Sequence, residues 1–337
     1  MYHIRMKGSH YEAGFKFGST LKKNGIVFKS CPTFDITDDM FEFTEKCLPI
    51  YQQYYPEILD EIKGMSDGQG ISFKFLSTLL CSMYCFSPDH HCSCFAISNG
   101  TTMLLARNSD FLVSLEKLYM NCMYSLKDSY SFNGNTTAFI EMEDGMNEHN
   151  LAIGFTFVYP TKIKPGINAG LLLRMILEKC KTIDEAITLL KNIPIASQQT
   201  YTLIDITGKI VVIECNCDHV VCLYPNTNED FVCTANRFNS AILLSYNKPT
   251  NFDDWDASLR QQTMLTALQN NSNKDLTFAQ ELLAGKYGFI CQYDRKKNAD
   301  TVWSCIYDVK HGQVFRVEGN PSKKIFLEDT RMKFKKT

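Results

Sequence analysis

The sequence has no long hydrophobic run, no large excess of charge of one sign, and no internal repeat or low-complexity linker. No segment approaches the roughly 20 apolar residues that a membrane-spanning helix requires, and the first residues lack the apolar region of a secretion signal. The formal net charge is only −2, so no surface for nucleic acid or for an anionic membrane is indicated. We therefore expect a cytoplasmic protein that binds neither nucleic acid nor membranes.

Cysteine, in contrast, is abundant, with 14 residues in the chain. Most of them lie in apolar runs and follow no repeating spacing, as Cys81 and Cys85 illustrate. A chain of 337 residues can build its own hydrophobic core and does not need a disulfide framework. We therefore expect reduced thiols, most of them buried as small apolar side chains.

Residues 1 to about 88 carry patterns typical of helices. Ser9 and Glu12 form a capping box, which predicts a helix that extends to about Leu21. Further helices are predicted over about 38–54, over 56–65 and after a cap at Ser72.

From Cys92 onward the pattern changes to strands that are interrupted by pairs of helices. The predicted strands cover about 94–99, 102–107, 119–126, 136–142, 151–158, 200–206, 209–215, 219–224, 231–235, 302–308 and 313–319, and the predicted helices cover about 168–181, 183–192, 256–270 and 277–286. This order differs from the strict strand–helix alternation of a parallel sheet. It predicts an α+β fold in which two antiparallel sheets lie between layers of helices.

The most informative segment runs from Cys92 to Asp110. Asn99-Gly100 between two alternating apolar runs is the sequence pattern of a two-residue β-hairpin. The return strand ends in Arg107-Asn108-x-Asp110, so the hairpin should bring Arg107 and Asp110 close to Cys92. A thiol with a guanidinium and a carboxylate as neighbours is a candidate nucleophile.

The start of the same hairpin allows a second interpretation. The range His90–Cys94 contains two histidines and two cysteines, which are potential ligands of a metal ion or partners in redox chemistry. Structural zinc sites usually add a second ligand pair at a distance, with two to four residues between paired ligands. Cys215 and Cys217 have only one residue between them. A non-catalytic metal- or redox-binding protein built on this cluster is the alternative hypothesis.

Further motifs follow along the whole chain. In order, they are Gly8-x-x-Tyr11-Glu12-x-Gly14, Tyr55-Pro56-Glu57, Cys92-Ser93-x-Phe95, Arg107-Asn108-x-Asp110, Asp144–Glu148 with Leu151–Thr156, Asp205–Lys209, Thr234-Ala235-Asn236, Ser258-x-Arg260, Thr301–Ser304 and Glu318–Pro321. This ordered set resembles the cysteine N-terminal-nucleophile (Ntn) hydrolases, the family of the acyl-CoA:6-aminopenicillanic acid acyltransferase and the choloylglycine hydrolases, which act on linear amides.

The resemblance implies a four-layer αββα fold and self-cleavage of a precursor (zymogen) before Cys92. Residues 1–91 would then be a helical pro-segment that stays bound as a small chain, and residues 92–337 would be the catalytic domain. The long front segment favours the acyltransferase-like branch, because the bile acid hydrolases begin almost at their cysteine. One departure is His91, which stands where the acyltransferase has a glycine.

The resemblance also implies the roles of the hairpin residues. Cys92 would attack the amide carbonyl and form a thioester, with its own freed α-amino group as the base. Arg107 would lower the pKa of the thiol by favouring the thiolate. Asp110 would orient and hold the amine.

Other roles are implied for residues outside the hairpin. The side-chain amide of Asn236 and a group at Thr156, taken as its backbone N–H, would bind the oxyanion, and one such donor stabilises a transition state by about 2.7–4 kcal/mol. Arg260 would pair with a carboxylate of the site.

The resulting expectation is a cysteine-dependent amidase that cleaves a small-molecule N-acyl amide without a cofactor. Acyl transfer stays open beside hydrolysis, which makes acyl-CoA a further candidate partner. Assembly into a homo-oligomer also stays open. A third hypothesis is an unprocessed precursor that only binds a ligand.

Overall fold

A computed structural model describes residues 1–28, 35–86, 91–249 and 254–331. The helices in these residues are α1 (His10–Lys23), α2 (Asp38–Tyr54), α3 (Pro56–Gln69), α4 (Phe73–Ser82), α5 (Ala169–Lys179), α6 (Ile183–Asn192), α7 (Ala257–Asn270) and α8 (Leu276–Leu283). The strands are β1 (Tyr2–Gly8), β2 (His91–Ser98), β3 (Met103–Leu112), β4 (Met120–Leu126), β5 (Phe132–Thr136), β6 (Asp144–Asn147), β7 (Ala152–Phe157), β8 (Gln199–Ile204), β9 (Ile210–Cys215), β10 (Val220–Leu223), β11 (Phe231–Thr234), β12 (Ala299–Asp308), β13 (Gln313–Val317) and β14 (Leu327–Glu328).

The strands form two sheets. One sheet has eight strands in the order β1-β4-β5-β6-β7-β8-β9-β10, and the other has six in the order β11-β2-β3-β12-β13-β14. Neighbouring strands are antiparallel, as predicted, except that β1 runs parallel to β4.

The hydrophobic clusters show how the sheets and helices are layered. The largest cluster packs α1 to α6 against one face of the eight-stranded sheet, for example at Phe155. A second cluster, which includes Trp303 and Val212, fills the space between the two sheets. A third packs α7 and α8 against the outer face of the six-stranded sheet, for example at Phe95. The order helix–sheet–sheet–helix confirms the expected αββα fold.

Local sequence patterns predicted the ends of several elements correctly. Ser9 and Glu12 form the reciprocal hydrogen bonds of a capping box at the start of α1. Ser72 caps α4 and Thr182 caps α6 through their side chains. Gly100 in the β2–β3 turn has a φ of 84°, a conformation that glycine adopts without steric cost.

Two predictions about the strands are wrong. The front segment is not only helical, because Tyr2–Gly8 forms β1 at the edge of the eight-stranded sheet. Of its residues only Met6 is buried, so β1 lacks the apolar alternation that marks a strand in the sequence.

The second error concerns β5 and β6. The strand predicted at 136–142 lies earlier, at Phe132–Thr136, and Asp144-Gly145, a dipeptide typical of turns, begins strand β6 instead. Asn121 donates hydrogen bonds to Asn133 and Asn135 across β4 and β5. These buried asparagines interrupt the apolar alternation and hide the strand.

None of the helices in the described parts of the chain is both long enough and apolar enough to cross a membrane. The described cysteines are free thiols, and most of them are buried. This agrees with the expectation of reduced, core-filling cysteines.

A buried ion cluster joins the front segment to the rest of the chain. Arg174 on α5 donates to both carboxylate oxygens of Glu61 on α3, at 2.9 and 2.5 Å, and to Glu178 at 3.0 Å. Glu178 also contacts His10 and Tyr55 of the front segment, at 3.1 and 2.5 Å. Burial alone would raise the pKa of Glu178, but Arg174, His10 and Tyr55 lower it to about 2. These contacts hold the two parts of the chain together with charged hydrogen bonds.

We expect Glu61→Ala to lower the free energy of unfolding by about 3–5 kcal/mol, because Arg174 would lose its bidentate partner inside the core. Chemical denaturation followed by circular dichroism measures this loss. The matched control is Lys74→Ala, which removes an exposed ion pair with Glu45 and should cost less than about 1 kcal/mol. Equal losses in the two variants would contradict the importance of the buried cluster.

Candidate active site

The site lies at the start of β2 and the end of β3. Cys92 pairs with Ser109, and Cys94 pairs with Arg107 across the hairpin. Side chains alternate between the faces of a strand, so Cys92, Cys94 and Arg107 point into the space between the sheets, where Cys94 belongs to the core cluster. Asp110 lies on the opposite face. The hairpin thus brings both Arg107 and Asp110 close to Cys92, as expected, with Arg107 on the face of the thiol and Asp110 on the other face.

The guanidinium of Arg107 organises the thiol side of the site. Its Nη2 donates to the Cys92 Sγ at 2.8 Å, and its Nε donates to the backbone oxygen of Phe155 at 2.9 Å. Gly154 makes this close approach possible, since a Cβ there would stand 3.0 Å from the Cδ of Arg107. Arg107 thus connects the Cys92 thiol on one sheet to strand β7 on the other.

Two carboxylates of the eight-stranded sheet complete the surroundings of Arg107. Its Nη1 donates to Asp144 Oδ2 at 2.8 Å, and its Nη2 lies 3.4 Å from Glu143 Oε2. Asp144 in turn accepts hydrogen bonds from Trp303 Nε1 at 2.9 Å and from the Tyr307 hydroxyl at 2.6 Å. Asp144-Gly145 is a dipeptide typical of turns, so the local sequence does not predict this network. The adjacent acidic residues between apolar neighbours were the only available indication.

Burial controls the protonation of the thiol. Cys92 is 0% exposed, and burial raises the pKa of its thiol to about 12, although Arg107 acts in the opposite direction. The expected lowering of the thiol pKa by Arg107 is therefore outweighed in the intact chain. Burial also opposes the charge of Arg107, but Cys92, Asp144 and Glu143 raise the pKa of Arg107 well above its usual value. At neutral pH the site holds a charged guanidinium beside a protonated thiol, which needs a base.

Asn236 and Arg260 hold the main chain of Cys92 rather than its thiol. The backbone N–H of Cys92 donates to Asn236 Oδ1 at 2.9 Å. Arg260 donates from Nη1 to the backbone oxygen of Cys92 at 2.6 Å and from Nη2 to Asn236 Oδ1 at 2.8 Å. The Nδ2 of Asn236 donates to the backbone oxygen of Phe157 at 2.8 Å. Residues far apart in sequence thus fix the peptide unit of the candidate nucleophile.

Asp110 lies beside Arg260 on the outer face of the six-stranded sheet. Its Oδ2 is 3.7 Å from Arg260 Nη1, and it accepts hydrogen bonds from the hydroxyls of Thr301 and Tyr293 at 2.6 and 3.0 Å. Burial raises the pKa of Asp110 to about 6, although Arg260 and the two hydroxyls lower it. Arg260 therefore has a carboxylate partner, as the resemblance implied.

The side chain of Thr156 contacts strand β8 and the residue that follows β11. Its hydroxyl contacts the Thr200 hydroxyl at 2.7 Å and donates to the backbone oxygen of Ala235 at 2.6 Å. The N–H of Phe155 donates toward β6, to Glu143, so the N–H of Thr156 points the other way, toward its partner Thr200 on β8. The hydroxyl of Thr156 thus supports the strand end that carries Asn236, and the oxyanion role of the N–H stays a prediction.

The described residues give no support to the metal hypothesis. They contain no group of three or more histidine, cysteine or acidic side chains that could hold a metal ion, while His90 lies outside them. Cys94 is buried between the sheets, and burial raises the pKa of its thiol to about 12. His91 faces away from both thiols, on the same face as Asp110.

The family model described as acyl-coenzyme A:6-aminopenicillanic acid acyl-transferase matches residues 97–323, well over half of the chain, and this match begins after Cys92. No curated protein matches the chain significantly.

Several solved structures share low identity with the chain. The N-acylethanolamine-hydrolyzing acid amidase (NAAA) ortholog of Caenorhabditis elegans is 18% identical with a TM-score of 0.47, over 65% of this chain and 93% of that chain. Penicillin V acylase from Agrobacterium tumefaciens is 14% identical with a TM-score of 0.47, over 67% of this chain and 82% of that chain. A cysteine-to-alanine mutant of conjugated bile acid hydrolase from Clostridium perfringens is 14% identical with a TM-score of 0.36, over 68% of this chain and 89% of that chain.

The buried, protonated state of Cys92 predicts low thiol reactivity in the intact folded chain. We expect iodoacetamide at pH 7.5 to label the partly exposed Cys217 and Cys222 while Cys92 stays unlabelled, because the thiolate is the reactive form. Peptide mass mapping of the intact chain measures the labelling of each site. Urea-unfolded protein is the control, in which all three should react. Labelling of folded Cys92 as fast as Cys217 would contradict the pKa assigned to it.

Proposed function

The chain belongs to the acyl-coenzyme A:6-aminopenicillanic acid acyl-transferase family, and on that premise we propose that it cleaves a linear amide with the Cys92 thiol as nucleophile. The observation that carries the proposal is the environment of Cys92 itself. Arg107 lies 2.8 Å from its sulfur, while Asn236 holds its nitrogen at 2.9 Å. Nucleophile and prospective base therefore belong to one residue, and each has its own polar partner.

The first step of the proposal is self-cleavage between His91 and Cys92. The Cys92 sulfur attacks the carbonyl carbon of His91, the bond from that carbon to the Cys92 nitrogen breaks, and the thiol proton ends on the nitrogen. Water then hydrolyses the resulting thioester, which releases the His91 carboxylate and restores the thiol. The chain would be divided into a front fragment of residues 1–91 and a catalytic part of residues 92–337.

The freed amine supplies the base that the buried thiol lacks. An α-amino group has an ordinary pKa of about 7.7–8.0, so a substantial fraction is neutral near physiological pH. It can accept the thiol proton directly, and the resulting thiolate is stabilised by the Arg107 guanidinium. Asn236 Oδ1 already accepts a hydrogen bond from this nitrogen and can keep it oriented after cleavage. Asp110 and Arg260 supply the charges around it.

In the cleaved enzyme, the thiolate attacks the carbonyl carbon of a substrate amide and the amine is released. The carbonyl oxygen becomes an oxyanion that needs hydrogen-bond donors. The Asn236 amide carries two N–H donors and lies beside the main chain of the nucleophile, so Asn236 is the donor that we assign. Water resolves the thioester in a hydrolase. Transfer from acyl-CoA to an amine is the second candidate, favoured by the description of the matching family.

Replacing the nucleophile tests the proposal directly. We expect the wild-type chain to appear by intact mass as two fragments that meet between His91 and Cys92, and to release product from a panel of chromogenic N-acyl amides. Cys92→Ala should give one uncut chain without activity, because the sulfur that Arg107 contacts is removed. Cys94→Ala is the matched control and should keep most of the activity. Activity that survives Cys92→Ala would contradict the proposal.

The pKa of Asp110 predicts a pH dependence of self-cleavage. Ionised Asp110 favours the positive charge that develops on the Cys92 nitrogen, so the cleavage rate should rise as the pH increases through about 6. Asp110→Asn should cleave more slowly and lose this transition, since its side chain does not titrate. Time courses by intact mass between pH 5 and 8 measure the cleavage rates of the wild type and of Asp110→Asn. A transition near pH 6 that persists in Asp110→Asn would assign it to another group.

A further inference from the structure

The side chain of His91, the residue before the candidate nucleophile, stacks on the side chain of Trp255. The His91 side chain is buried, with 4% of its surface exposed. Its ring lies flat on the indole of Trp255, with 4.3 Å between the centroids and 14° between the planes. Such stacking fixes both the position and the orientation of a ring. The bulky side chain at this position therefore has a dedicated binding surface.

The segment that carries the indole has a strained backbone. Trp255 and Asp256 have φ values of 52° and 57°, in the left-handed region, which is strained for a residue other than glycine. Such a conformation persists only where its surroundings enforce it. Here Arg260 stabilises this conformation, because its Nε donates to the backbone oxygen of Trp255 at 2.9 Å and its Nη2 donates to the backbone oxygen of Asp254 at 3.1 Å.

The same guanidinium also binds the other side of the peptide bond. Arg260 Nη1 donates to the backbone oxygen of Cys92 at 2.6 Å. Arg260 thus holds Cys92 directly and holds His91 indirectly, through the Trp255 ring. The two residues that flank the bond between His91 and Cys92 are positioned from one point, on the face of the sheet opposite the thiol.

We propose that Trp255 is a positioning residue for self-cleavage: its indole face holds the His91 ring and thereby keeps the His91 carbonyl carbon within reach of the Cys92 sulfur. This inference rests on the proposed function, because it concerns the first step of that reaction. It explains how the chain accommodates a histidine before its nucleophile. A side chain of this size needs a surface that fixes it, whereas a glycine needs none.

The rate of self-cleavage depends on how precisely the His91 carbonyl is positioned. The sulfur forms a bond to the His91 carbonyl carbon as the bond to the Cys92 nitrogen breaks, and the attacking atom must approach along a narrow path. A displacement of about 1 Å can slow such a step roughly 100-fold.

Beside His91 and Asn236 lies a cavity of about 20 Å³, room for about one water molecule, which suits the hydrolysis of the thioester that forms next.

The test is a double-mutant cycle on the cleavage rate. We expect Trp255→Ala to slow self-cleavage at least ten-fold and Trp255→Phe, which keeps an aromatic face, to stay within about three-fold of wild type. In a His91→Gly background no ring remains to be held, so Trp255→Ala should change the rate less than two-fold there. Cell-free synthesis followed by intact mass at fixed times gives the rates from newly made full-length chains.

Further measurements separate positioning from folding and from the proposed function. Trp255→Ala in the uncleavable Cys92→Ala chain should leave the far-ultraviolet circular dichroism unchanged and keep a single cooperative unfolding transition. Equal slowing by Trp255→Ala in the wild-type and His91→Gly backgrounds, or no slowing in either, would overturn the positioning role while leaving Cys92 as nucleophile. A wild-type chain that never cleaves would overturn the proposed function, and this inference with it.

Discussion

The site depends on one buried positive charge that needs compensation. A guanidinium inside a protein costs several kcal/mol unless charged and polar partners replace water, and Arg107 finds those partners on both sheets. Asp144 lies 2.8 Å from it and is itself held by Trp303. Arg107 and Cys92 lie on the same hairpin, but the carboxylate that compensates the guanidinium comes from the other sheet. The surroundings of the thiol are therefore complete only where the two sheets pack together.

Two sets of contacts meet at Cys92. The sulfur faces the inter-sheet core and Arg107. The peptide nitrogen donates to Asn236, which itself donates to Phe157 of the eight-stranded sheet, and the peptide oxygen accepts from Arg260 of α7. Asp110 belongs to this second set. The sulfur and the peptide nitrogen of this one residue therefore have different polar partners.

The sequence predicted what depends on neighbours along the chain. The Asn99-Gly100 hairpin, the Ser9 cap and the pairing of Arg107 with the start of β2 all follow from short-range patterns. The face of β3 on which Asp110 lies was also predictable, because residues three apart on a strand, such as Arg107 and Asp110, point to opposite faces. The partners of Arg107 on β6 and β12, and the burial that raises the thiol pKa, were not within reach, because they arise from the packing of distant strands.

Strand β1 has a consequence for how this protein is made. It supplies the outermost strand of the eight-stranded sheet, beside β4, and it comes from the segment that precedes Cys92. A recombinant polypeptide that starts at Cys92 would leave the hydrogen-bonding edge of β4 bare, a surface prone to intermolecular association. The front segment therefore covers an edge of the sheet that the rest of the chain would leave open, and it belongs in any polypeptide made for study.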